Sequence, residues 1–162
     1  MESIPGDYQF KAINYGRPAQ RFWHSAKIRL LEHLQVTQSG QTALDAGCGS
    51  GVVSHYLAGK CDKVIGIDAS QEAIEFATSK FGSSTLSFHN ANLQSASSVG
   101  NFDLIICFEV LEHLEPAQVQ GVLNEFFTSA KNGAKLCITV PNSRSLWPFI
   151  EWILDTFHLV PK

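Results

Sequence analysis

The sequence predicts an α/β domain built on a doubly wound parallel sheet. Three observations carry that expectation. Short apolar runs alternate with amphipathic segments at close, regular intervals. The cores of those runs are nearly continuous, as in "VIGI" and "LIICF", which suits strands covered on both faces. The chain has 162 residues, enough for one well-packed core and not for two.

The elements follow in order. Residues 1–16 contain Gly, Pro and Tyr without a period and read as a loose lead-in. Residues 17–35 predict a helix with Phe22, Ala26, Leu30 and Leu34 at four-residue spacing, and "TQSGQ" ends it. "TALDAG" is the first strand, and "SGVVSHYLAGK" is a helix stopped by Gly59. "KVIGID" is the second strand. Ser70 caps a helix through Phe81 that ends at Gly82. "TLSFHNA" is the third strand and "SASSVGN" a polar loop. "FDLIICF" is the fourth strand. Pro116 opens a helix with Val119, Val122, Leu123, Phe126, Phe127 and Ala130 on its apolar stripe. "KNGAK" ends it, "KLCITV" is the fifth strand, and residues 143–162 form an aromatic, partly helical tail.

Composition narrows the function. A net charge of −3 lacks the basic footprint of a nucleic-acid binder. Cys48, Cys61, Cys107 and Cys137 form no CxxC pair, and three lie in strand-like runs. They read as free thiols in a reducing compartment. The first residues show no secretory signal, and no stretch is apolar for the length of a membrane span. A cytoplasmic location is expected.

The chemistry concentrates in "LDAGCGSG". Gly47, Gly49 and Gly51 fall where the first strand meets the next helix, the place where open α/β sheets bind ligands. Glycines there serve either a tight packing turn or a ligand that touches main chain. Asp68, 21 residues after Gly47 at the end of the second strand, favours the ligand, because a carboxylate there can accept both hydroxyls of a ribose. The spacing is GxGxG, with Val52 at the third position of the dinucleotide fingerprint, and no P-loop lysine is present. Asp45 beside the loop suits a cationic ligand better than a diphosphate.

This loop resembles the first motif of class I S-adenosylmethionine-dependent methyltransferases. "VIGIDAS" resembles the second motif. "HNANL" stands where the family often has an acid at the adenine edge, with Asn92 in its place. "FDLIICFEVLEHL" is similar to the fourth motif of small-molecule methyltransferases, the ubiquinone-biosynthesis O-methyltransferases among them. "NGAKLCITVPN" resembles the fifth-strand segment, with Ala134 for the usual second glycine. The resemblance covers residues 41–142. It implies a Rossmann-like sheet of order 3-2-1-4-5 and methyl transfer from S-adenosylmethionine, leaving S-adenosylhomocysteine, to a small-molecule acceptor, with oxygen slightly favoured. It implies a cofactor pocket of Asp45, Gly47, Cys48 (through its backbone), Gly49, Asp68, Ala69, Asn92, Leu93 and Phe108. Lys27 or Arg29 would reach the cofactor carboxylate, the alternative for both being solvated helix positions.

Methyl transfer is an in-line displacement, so the protein mainly aligns the partners. An oxygen nucleophile also needs a base, and Glu109, Glu112 and His113 are the candidates. The spacing of "EVLEH" would put all three on one side of a helical turn. There they would serve as base, as a Mg²⁺ or Mn²⁺ site of the kind some methyltransferases carry, or as loop-orienting groups. The family sheet closes with a two-strand hairpin, and nothing after Val140 reads as one, so the sequence is expected to be a shortened form. It divides into lead-in and helix (1–40), cofactor core (41–142) and aromatic segment (143–162). That segment is expected to pack over the edge of the fifth strand, with the alternative that it, or that edge, joins two copies. Two other functions stay open: a cofactor-binding domain without catalysis, and a nicotinamide-dependent oxidoreductase.

Overall fold

A computed structural model describes residues 5–142; the expectations for the segment 143–162 lie outside the described residues. Two helices, α1 (Tyr8–Tyr15) and α2 (Pro18–Leu34), precede a repeating unit: β1 (Thr42–Ala46), α3 (Val52–Ala58), β2 (Lys63–Asp68), α4 (Gln71–Phe81) and β3 (Leu86–Asn90). A 3-10 segment (Leu93–Val99) leads to β4 (Phe102–Phe108), a short 3-10 turn (Leu111–His113), α5 (Pro116–Ser129) and β5 (Ala130–Thr139). The five strands form one sheet in the order β3-β2-β1-β4-β5, and every neighbouring pair is parallel.

The sheet is covered on both faces because each strand sends successive side chains to opposite sides. Ala43, Val64, Phe88, Leu104 and Ile106 pack on one side with Leu31 of α2, Val53 and Leu57 of α3, and Ile74 and Ala77 of α4. Leu44, Ile65, Ile67, Ile105 and Cys107 pack on the other with Leu93, Ala96 and the α5 residues Val122 and Phe126. Central strands lined by such residues must be apolar on both faces, which is why their sequences lack alternation. Among the described residues no helix is long and apolar enough to cross a membrane, and all four cysteines are free.

Five expectations change. The lead-in holds a helix, α1, which has no apolar period of its own because tertiary contacts hold it. Phe10 packs against Phe76 and Phe81, and Lys80 lies over its ring at 4.9 Å. Its N–H donates to Ser50 Oγ at 3.0 Å. The stripe of α2 is turned from its expected position: Phe22 and Leu34 are exposed and Leu31 is the fully buried residue. The loop after β3 is helical, its first turn capped by Asn92, whose Oδ1 accepts from Gln94 N–H. In α5, Phe127 of the expected stripe is exposed, while Val122 and Phe126 are buried. The helix ends at Ser129, so Ala130 and "KNGAK" belong to β5, which starts earlier than expected.

Candidate functional site

The carboxyl ends of β1, β2 and β4 meet at the glycine loop. Gly47 and Cys48 N–H both donate to the Ile67 carbonyl, at 2.8 and 3.0 Å, and so pin the loop to β2. Gly47, Gly49 and Gly51 all have positive φ. Gly51 answers to packing, since a Cβ there would lie 2.8 Å from Phe88 and 2.9 Å from Ala77. Gly49 differs. The atoms nearest to a Cβ there would be the side-chain amide of Gln9, at 2.9 Å, so a movable group from α1 fronts the main chain.

Asp68 closes the other side. Its Oδ2 accepts from Gly49 N–H and its Oδ1 from Ser70 N–H, each at 2.8 Å. An ionised carboxylate has about four acceptor positions, so roughly two remain. The Asn90 amide steadies this corner by donating to the Asp68 and Ala69 carbonyls, at 3.0 and 2.9 Å. The side chain is thus held in the crevice and is only partly exposed.

Asp45 lies one strand over and is buried. Burial pushes its carboxyl up to about 6, against the pull of a 2.6 Å hydrogen bond from Ser54 Oγ–H and the charge of Lys27. Lys27 is itself partly buried. Burial lowers its pKa, and the carboxylates of Glu109, Asp45 and Glu112 act against that. Arg29 points elsewhere: its guanidinium donates to the Phe22 carbonyl and Ser25 Oγ and lies over the Phe22 ring on the exposed side of α2. Of the two basic candidates, Lys27 alone shares the field of the site carboxylates.

The other expected residues divide. Cys48 is buried and its thiol is pushed well up, chiefly by burial. Phe108 and Leu93 are buried, while Ala69 and Asn92 are exposed at the strand tips. Glu109, Glu112 and His113 do not share a helical turn. The 3-10 turn holds only Leu111–His113, and Glu109 precedes it with φ of 56°, a left-handed backbone that redirects its side chain. Glu112 and His113 are exposed. Among the described residues no three His, Cys, Asp or Glu side chains converge to hold a metal.

Sequence reasoning missed three contributors: Gln9, Trp23 and Thr139. Glu109 N–H donates to the Thr139 carbonyl at 3.2 Å, which joins the tips of β4 and β5. Trp23, Ala26, Lys27 and Leu30 of α2 face those tips across a cavity of about 290 Å³. Thr139 was findable from its place at a strand's carboxyl end, where α/β sheets gather ligands.

The sequence profile described as "Methyltransferase domain" matches residues 43–133, more than half of the chain. Curated relatives include a ubiquinone biosynthesis O-methyltransferase of Aromatoleum aromaticum, 36% identical over 114 residues, covering 67% of this chain and 45% of the relative. Another, of Burkholderia ambifaria, is 32% identical over 156 residues, covering 93% and 62%. The chain spans less than two thirds of the length of both. Among solved structures, the N-methyltransferase NodS of Bradyrhizobium japonicum in complex with S-adenosylhomocysteine is similar, with a TM-score of 0.65 and 25% identity over 78% of this chain and 63% of that one. A SAM-dependent methyltransferase of Archaeoglobus fulgidus, 22% identical, shares the fold at a TM-score of 0.68 over 96% of this chain and 67% of its own.

Proposed function

As the chain belongs to the methyltransferase domain family, we propose that it binds S-adenosylmethionine between the glycine loop and Asp68 and transfers the methyl group to an oxygen of a small-molecule acceptor. One observation carries this reading. Asp68 uses one acceptor position on each oxygen to hold the loop and keeps another on each for the two hydroxyls of a ribose.

The residues present suit the cofactor's charges. It carries an amino-acid tail and a sulfonium, and no phosphate. Asp45 offers a carboxylate to the cationic side, and Lys27 an ammonium to the tail carboxylate. Leu93 and Asn92 border the adenine side, and Phe108 lies under the reacting end. When bound, the cofactor supplies an activated methyl group. The chain's own residues hold both partners in line and take the acceptor's proton. Glu109, at the cavity, is better placed as base than exposed Glu112 or His113. The relatives' names support oxygen as the acceptor atom. Four free cysteines accord with a reducing, cytoplasmic setting.

A thermal-shift comparison tests the cofactor assignment, because a ligand that binds only the folded chain raises its melting midpoint. S-adenosylhomocysteine should raise it and NAD should not. A rise with NAD alone would transfer the crevice to oxidoreductase chemistry.

A further inference from the structure

Helix α1 takes its cap from the glycine loop. Its own N-cap residue, Asp7, makes no side-chain cap bond. Ser50 Oγ, 40 residues away in the loop, accepts from Phe10 N–H in the first turn instead, at 3.0 Å. A helix of eight residues is marginal by itself, and Ala12 is the one residue of α1 that is buried. Elements with so little buried surface open locally at low cost. The helix also touches both sides of the crevice. On the loop side, Cδ, Nε2 and Oε1 of Gln9 all lie 2.9 Å from where a Gly49 Cβ would stand, so the amide plane faces the main chain. Among the described residues nothing hydrogen-bonds that amide. On the Asp68 side, Gly6 runs against the first turn of α4, where a Cβ would lie 2.5 Å from the Glu72 carbonyl and 2.8 Å from Ala73 N. Tyr8 meets His24 of α2 edge to face, with ring centroids 5.4 Å apart, and the extended pair Gly16 and Arg17 joins the two helices.

We infer that α1 is a lid whose folding is coupled to the cofactor. A ligand held between the glycine loop and Asp68 fixes the loop that caps α1, and α1 closes over the ligand with the Gln9 amide as its contact. The inference rests on the cofactor reading above and adds how the site retains and releases its ligand. The coupling is reciprocal: whatever order the ligand confers on α1, α1 returns as affinity. Opening is a swing about Gly16 and Arg17 that breaks the Phe10–Ser50 bond and withdraws the Phe10 ring from Phe76 and Phe81 of α4. Gln9 suits a contact of this kind. Its amide offers two donors and an acceptor and adds no charge to the field of Asp45, Asp68 and Lys27.

Hydrogen exchange read by mass spectrometry tests this on wild-type protein, with and without saturating S-adenosylhomocysteine. Without ligand, amides of α1 should exchange at least about tenfold faster than those of α5, because α1 opens locally. The ligand should then slow α1 by about tenfold or more, since a local opening is suppressed only by a ligand that it would release. Amides of α1 as protected as those of α5 without ligand, or a fast exchange that the ligand leaves unchanged, overturns the proposal without need of a variant. Two variants test the mechanism by stopped-flow dissociation of S-adenosylhomocysteine. F10A unseats α1 from α4, and Q9A removes the amide and keeps the seat. Each should release the ligand about fivefold faster than wild type, the worth of one cap or one hydrogen bond. An unchanged rate in either overturns the proposal. Failure of wild-type protein to bind S-adenosylhomocysteine at all would instead remove the cofactor reading, and the lid with it.

Discussion

Replacing Asp68 by alanine separates the structural role that its hydrogen bonds show from the ligand-binding role proposed for it. The substitution removes two charge-assisted hydrogen bonds, from Gly49 and Ser70 N–H. Such bonds contribute about 1.5–3 kcal/mol each, and these sit at the low end because Asp68 is partly exposed and water can replace it. The loss of stability should be roughly 2–3 kcal/mol, or a fall in Tm of about 5–10 °C for a chain of this size. Binding should suffer separately. The ribose loses its acceptors and the loop loses its staple, so S-adenosylhomocysteine should bind at least tenfold more weakly, about 1.4 kcal/mol. Calorimetric titration well below the melting midpoint reads the second effect free of the first. D68N should fall between, since an amide keeps one acceptor oxygen and loses the other. If D68A melts early as expected yet binds S-adenosylhomocysteine within about twofold of wild type, Asp68 is only a loop staple and the reasoning fails.

Two further outcomes follow from the charges. Burial raises Asp45 from 3.8 to about 6 in the folded chain, so between those values the folded state holds a proton the unfolded state has released. Stability from this group is therefore greatest at the acid end, declines as pH rises through that window by a total of about 3 kcal/mol, and is flat above it. D45N should remove the decline, so urea unfolding at pH 4 and 7.5 should show the difference between variant and wild type moving in the variant's favour; a pH-independent difference would refute the assignment. K27M should weaken S-adenosylhomocysteine about tenfold by fluorescence or calorimetric titration, and R29M should leave it unchanged. Equal losses in the two would mean that the orientation of α2 is wrong.

The parallel sheet and its order were legible because buried central strands must be apolar throughout, and because glycines and caps punctuate α3 and α4 at their ends and Pro116 opens α5. Gly47 to Gly51 and Asp68 were legible as a pair, since one reports a backbone demand and the other a fixed distance along the chain. The N-terminal helices were not. α1 owes its helix to Phe10 seated among Phe76, Phe81 and Lys80 of α4, contacts that local spacing does not encode. In α2 a charged residue, Lys27, occupies an inward position beside the site, and of the apolar stripe read from the sequence only Ala26 and Leu30 face inward while Phe22 and Leu34 are exposed. "EVLEH" misled for a related reason: Glu109 leaves β4 with a backbone that no helical wheel anticipates. In each case the surrounding structure overrode the local pattern.

The most direct measurement is a crystal structure of the chain grown with S-adenosylhomocysteine. The account predicts both ribose hydroxyls within hydrogen-bonding distance of the Asp68 carboxylate and the Gln9 amide shifted or bonded to the ligand above Gly49. A ligand bound elsewhere, with Asp68 still contacting only Gly49 and Ser70, would contradict it.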